Sequence, residues 1–357
     1  MKDSLTKMLL RVALPILIGI GVTFLLFKDE FSIARFRDFT WTPRITVGLI
    51  AAVIFVIGRD FGLAWRFHTI ASPTLTWRRS FRVDLMCAFT SAITPSAMGG
   101  SAFAIFYLNR EGVKLGKATT MTLTTLFLDE MFFVVFCPII MLVLPIESLF
   151  GTSHNTSIGF LHGVEIVFWL VYAGIVVWAL ILFFGIIVKP EGVAKLIKVL
   201  FSKKLLRRWE KGAIEMSDNM IEASCSLRGA SFKWWLNVFG ATTLSWFSRY
   251  LVVNALFWAL VPDASGLLVF GRQFVVWVLL MVSPTPGGSG VSEWLFTEYY
   301  GDLIGSASTA LLLALTWRLL SYYVYLFAGS VLLPSYFSKS SRPEPALKNT
   351  QVSEKNK

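Results

Sequence analysis

Apolar residues along this chain neither trace one face of a helix nor alternate as in a strand; they fill entire segments. Eight such segments run at about 12–27, 45–64, 83–108, 118–146, 164–188, 234–260, 268–300 and 307–334. Each is close to or above the ~20 residues that a helix needs to cross the hydrocarbon of a bilayer. The first follows Lys2, Lys7 and Arg11 as a secretion signal would. However, Phe24-Leu25-Leu26-Phe27 ahead of Lys28 offers no small-residue cleavage site, so it is read as a helix.

Two of the eight segments are broken in the middle. Segment 83–108 carries Thr94-Pro95-Ser96 and then Gly99-Gly100-Ser101, and segment 268–300 carries Pro284-Thr285-Pro286-Gly287-Gly288-Ser289. Proline and paired glycine are poor material for an unbroken helix. Loop charge says how these segments lie. The N-terminus, 65–82, 109–117, 189–233 and the tail hold 25 Lys and Arg, whereas 28–44 holds four and the other connections none. Cytoplasmic loops carry that excess. Segment 83–108 is basic at both ends and 268–300 at neither, so each should leave and return on one side. The pattern predicts an all-α polytopic membrane protein with six full spans, two re-entrant hairpins and both termini in the cytoplasm.

The order of elements then repeats: span, span, hairpin, span, over residues 1–146 and again over 160–334, in opposite orientation. Arg59 displaced by 190 positions falls on Arg249. Asp129 displaced by 189 falls on Arg318, and Pro95 by 189 on Pro284. Helices of similar length give some matches at any offset, but three features sharing one favour an inverted repeat, a recurrent transporter plan. The basic stretch 189–233 becomes a cytoplasmic linker with an amphipathic surface helix, and 335–357 a disordered cytoplasmic tail.

Composition narrows the function. The chain of 357 residues is 55% hydrophobic and 15% charged, where a soluble domain carries about a quarter charged residues. A soluble enzyme, a disulfide scaffold and a disordered chain are excluded. The net charge of +11 is accounted for by orientation, so no nucleic-acid partner is expected. Cys87, Cys137 and Cys225 show no paired spacing, and His68, His154 and His162 none that would hold a metal. No metal and no cofactor are expected. A Gly-rich loop before Lys-Ser/Thr, HExxH and a nucleophile elbow are all missing, so no catalytic residues are assigned.

The chemistry lies in the broken tips and the intramembrane charges. Irregular backbone in a bilayer survives only where it lines protein or a wet cavity. A helix restarting after Pro95-Ser96, or after Gly288 at Ser289 with Glu293 in its first turn, presents unpaired N–H groups suited to phosphate. The competing reading of the glycines is close helix packing. Asp129, Glu130, Arg249 and Arg318 fall mid-segment, where each charge costs ~2.5–3.5 kcal/mol. They either form internal salt bridges, with Asp129 to Arg318 as one pairing, or build a headgroup site in which the arginines take phosphate and a carboxylate takes a proton or a cation. Arg59 and Asp60 are weaker candidates, placed to reach the cytoplasmic interface, and Arg272 is placed to snorkel outward. The candidate substrate-binding set is therefore Arg59, Thr94, Pro95, Ser96, Gly99, Gly100, Ser101, Asp129, Glu130, Arg249, Pro284, Pro286, Gly287, Gly288, Ser289, Glu293 and Arg318.

On Thr94-Pro95-Ser96 with Gly99-Gly100, on Asn109-Arg110-Glu111-Gly112-Val113, and on Pro284 through Glu293, the chain resembles the transmembrane region of lysylphosphatidylglycerol synthases, the flippase-like domain family. The likeness covers about residues 10–334. It implies translocation of anionic or aminoacylated lipids, or of lipid-linked sugars. Two departures stand out. No acyltransferase-like domain follows Lys339, so synthase activity is not expected, and Asp129-Glu130 replaces an acidic-basic pair.

These observations together lead to an inner-membrane lipid translocase whose partner is the phospholipid itself. A second copy of the chain and a separate lipid-modifying enzyme are further candidate partners. A small-anion transporter or channel is the alternative, and a membrane-embedded lipid transferase using Asp129, Glu130 and Glu293 is the third class.

Overall fold

The computed structural model describes residues 40–94, 99–150, 158–202, 210–283, 288, 291–292, 296 and 299–338. The apolar segment at 12–27 and the tip residues Pro95, Ser96, Pro284, Pro286, Gly287, Ser289 and Glu293 lie outside them. Among the described residues every regular element is helical.

Helix α1 (Pro43–Ala71) starts on Thr42, whose side chain accepts from the Ile45 amide, with Pro43 in the first turn. The first broken segment follows as α2 (Trp77–Ile93) and α3 (Gly99–Arg110), and then comes α4 (Leu115–Val143). After a short α5 (Ile146–Phe150), α6 (Ile158–Phe183) ends in a π turn, Phe184–Val188. The basic linker folds as α7 (Pro190–Ser202) and α8 (Glu210–Arg228). The second half holds α9 (Phe232–Leu260), α10 (Gly266–Met281), α11 (Ala307–Arg318), a π turn at Leu319–Tyr323, and α12 (Val324–Ser338). Ser231, Ser265 and Ser306 cap α9, α10 and α11, each accepting from the amide three residues on.

Length separates the two kinds of element. The 29 residues of α1, α4 and α9 make helices of about 44 Å, longer than ~30 Å of hydrocarbon. With 17, 12 and 16 residues, α2, α3 and α10 each fall short of it. Pro43–Ala71, Leu115–Val143, Gly163–Val188 and Ser308–Leu333 are both long and apolar enough to cross a membrane. Helix α9 has the length, but Ser245, Ser248 and Arg249 make it more polar, and it packs in the centre of the bundle.

Helix α1 shows two faces. Ile50, Ile54 and Ile57 point outward, more than half exposed, as a lipid-facing stripe. The opposite face carries Gly48, Gly58 and Gly62 against α9. A β-carbon at Gly48 would lie 2.9 Å from the Ala255 carbonyl oxygen, and one at Gly62 would lie 2.7 Å from that of Ala241. The register runs antiparallel, with small residues letting the two backbones touch.

Apolar packing divides into two cores. One gathers Phe132, Phe133, Trp246, Tyr250 and Phe274, with Phe132 stacked between Trp246 and Phe274 at 5.5 Å from each. The other gathers Phe67, Phe89, Leu108, Leu128 and Leu326. Polar residues lie between them on four helices: Arg59 and Arg66 on α1, Asp129 and Glu130 on α4, Thr242 and Ser245 on α9, and Arg318 at the end of α11. The hydroxyls of Thr119, Thr120, Thr122, Thr124 and Thr125 donate back to α4 carbonyls, which satisfies them without water.

Arg272 corrects an expectation. Rather than snorkelling outward it is 1% exposed and donates to both oxygens of Asp302 (2.5 and 2.7 Å), to the Ser148 carbonyl and to the Tyr299 carbonyl. The fork is fully satisfied inside protein, tying α10 to α5 and to the turn before α11.

Candidate functional site

In the polar seam a cavity of about 120 Å³ is walled by residues from both halves of the chain. Helix α1 contributes Arg59, α9 contributes Arg249, and α11 ends there on Arg318. Ser91 of α2, Trp277 of α10 and Gly288 extend the wall to both broken segments.

Each guanidinium rests on an aromatic face. Arg249 is clamped between Trp246 and Trp277, 4.6 and 4.5 Å from the ring centres. Arg59 lies 4.2 Å over Tyr325, and Arg318 4.0 Å over Tyr322. Stacking fixes a guanidinium plane and leaves its N–H edge for a planar or tetrahedral acceptor. The Arg249 Nε meets no acceptor, and no acidic side chain pairs with Arg249 among the described residues. The π turn after Arg318 admits one more residue than an α turn, and such bulges recur at functional sites; here Tyr322 and Tyr325 share the cavity with Arg318. Gly288 adopts φ +69, a left-handed conformation suited to glycine, and its carbonyl accepts from the Ser292 amide as the chain resumes a helical turn.

Of the residues nominated by sequence, Arg59, Arg249, Arg318 and Gly288 come together. Arg59 does not reach an interface: it is 9% exposed and 3.5 Å from Asp60, which also accepts from the Tyr325 hydroxyl at 2.8 and 3.0 Å. Asp129 does not pair with Arg318. It takes Arg66 at 2.6 Å and the Trp246 indole N–H at 2.9 Å, and Glu130 is buried beside it, away from the cavity wall. Thr94 caps α2, its hydroxyl donating to the Thr90 carbonyl, while the Gly100 amide donates to Ser91 Oγ at 2.9 Å. A side chain at Gly100 would collide with the Cys87 carbonyl. These two therefore hold the α2–α3 hairpin closed. Gly99 and Ser101 lie in the first turn of α3.

Sequence reasoning missed Arg66, read as a loop cation, and the aromatic partners Trp277, Tyr322 and Tyr325, which nothing in an apolar run sets apart. A larger cavity of about 840 Å³, lined by His68, Lys114, Lys117, Glu222 and Trp234 among others, contains none of the nominated residues.

Residues 8–329 match the family described as the lysylphosphatidylglycerol synthase TM region. The chain belongs to this family. It is also 25% identical over 330 residues to a UPF0104 membrane protein of Archaeoglobus fulgidus, covering 88% of this chain and 94% of that relative. No solved structure matches it. The family sets this chain among multi-pass membrane proteins of lipid-related processes, as the tip motifs led one to expect.

Proposed function

We propose that the chain moves an anionic or modified phospholipid, or a lipid-linked headgroup, between the leaflets of the cytoplasmic membrane, with both termini in the cytoplasm and no chemistry on the lipid. The carrying observation is the convergence of Arg59, Arg249 and Arg318 on one cavity beside both broken segments. Arginine at mid-membrane is expensive, and among the described residues no acidic side chain pairs with Arg249 to offset the cost. A phosphodiester supplies that anion, held by two-pronged contacts. The cavity, of about 120 Å³, is too small for acyl chains, which stay in the bilayer.

The test is lipid scrambling in proteoliposomes, read by quenching of a fluorescent phospholipid. Arg249→Gln should abolish scrambling while the protein stays folded, and Arg249→Lys should restore only part of it, since an ammonium cannot form the fork. Wild-type rates in both variants would reduce Arg249 to a packing residue and end this reading. The small volume gives one alternative some support, a free inorganic anion as cargo; uptake of labelled phosphate by vesicles that do not scramble lipid would establish it.

A further inference from the structure

Among the described residues, Asp84 is the acid near the cavity whose chemistry the headgroup reading leaves unused. It lies on α2 at 2% exposure, and its Oδ2 meets no hydrogen-bond donor. Ala88 and Ser91, four and seven residues on, line the cavity, so all three share one helix face with Asp84 a turn away, about 6 Å along the axis. The charged and titratable groups facing it are Arg59, Asp60 and Arg66 from α1, Arg249 from α9 and Tyr325 from α12. Cys87 lies on its own helix, and from α3 Tyr107 is engaged by Thr90 at 2.6 Å. Asp60 is occupied by Arg59 and Tyr325, and Asp129 by Arg66 and Trp246; Glu130 Oε2 is buried without a donor as well, but Glu130 stands away from the cavity wall. Beside the cavity, Asp84 is thus the described carboxylate that can gain a proton without breaking a contact.

We propose that Asp84 is a proton-binding site coupled to the headgroup cavity, so that one proton from water is taken up as an anion enters and is released as it leaves. This rests on the headgroup reading above. The coupling follows from charge. With Asp60 and Asp84 both ionised, two negative charges stand against the cavity arginines, and a proton on Asp84 removes one and strengthens anion binding. Linkage is reciprocal, so the bound anion raises the proton affinity of Asp84 by the same factor. A pH difference across the membrane then biases the direction in which a headgroup is carried.

The experiment uses the purified full chain in detergent with dihexanoylphosphatidylglycerol, a phosphodiester whose charge is constant between about pH 5 and about pH 8. Binding is read from tryptophan fluorescence, because Trp277 and Trp317 line the cavity, and proton uptake from an indicator dye in weak buffer. The wild type should bind more tightly as pH falls, by up to about tenfold per unit where one proton is linked, with uptake approaching one proton per lipid. Asp84→Asn should bind with the acid-side affinity at every pH and take up none. Sulfate giving the same uptake supports the same site for free anions. Binding without pH dependence or uptake in the wild type overturns the coupling alone, and that measurement decides even if Asp84→Asn fails to fold. Uptake persisting in Asp84→Asn places the proton elsewhere, Glu130 being the next buried acid, and also overturns it. No binding of either probe at any pH removes the headgroup reading and the coupling together.

Discussion

Gly58 and Ser248, 190 residues apart in sequence, face each other across the α1–α9 contact, where a β-carbon on Gly58 would come within 2.9 Å of the Ser248 hydroxyl oxygen. The same displacement carries Arg59 onto Arg249, so these two of the cavity arginines flank the point where the helices meet. In an inverted repeat, residues that correspond to each other approach at the pseudo-two-fold axis. This pair satisfies that condition. A crystal structure in detergent should superpose 43–143 on 232–338 by a rotation near 180° about an axis passing between Gly58 and Ser248. Unrelated packing of the two halves would remove the repeat.

The same contact separates two glycines that sequence treats alike. Alanine at Gly58 meets the movable end of a serine side chain, whereas alanine at Gly62 meets the backbone of Ala241 and Ser245 at 2.7 and 2.8 Å. Overpacking against backbone typically costs about 1–3 kcal/mol. Gly62→Ala should lower the melting temperature in detergent clearly and Gly58→Ala only slightly; equal shifts would contradict the register.

Arg272 and Asp302 form a buried pair in which each is costly without the other. Asp302→Asn should destabilise the protein by about 3–5 kcal/mol, because it strands a guanidinium. Replacing both at once, as Arg272→Met with Asp302→Leu, should cost less than the single change. A double variant as unstable as the sum of its parts would show that the pair is no unit.

Hairpin topology is accessible to labelling. In a background lacking Cys225, the exposed free cysteine, Arg78→Cys and Lys114→Cys should react with an impermeant maleimide from one side of the membrane. Asp263→Cys and Gly305→Cys should react from the other, and all four positions are exposed or sit in exposed turns. Members of either pair reacting from opposite faces would turn the hairpins into crossing helices.

The spans were legible because uniform apolarity over about 20 residues or more leaves few alternatives; the ends of α4 and α9 fall close to the sequence boundaries, while α1 runs past the expected end at 64 to Ala71. The arginines of the cavity were legible for the same reason, as cations inside apolar runs. What sequence could not settle was pairing. Asp129 had several arginines within reach by depth, and only three-dimensional packing turns it toward Arg66 rather than Arg318. Arg272 stood near a segment end like any snorkelling residue; its partner Asp302 lies 30 positions on, in a turn that no periodicity marks. Asp84 was hidden by its place just inside an apolar segment preceded by basic residues, where an acid passes for part of the interface.

The division of the bundle into two apolar cores has a mechanical meaning. Interdigitated side chains resist shear, since sliding them opens voids, while a layer of guanidinium, carboxylate, hydroxyl and indole groups can exchange partners, or admit water, with little loss of contact. The seam between the cores is therefore where partner exchange costs least packing. Bending concentrated there, at the glycine face of α1 and at the π turn beyond Arg318, would open the cavity to either leaflet while each core stays packed.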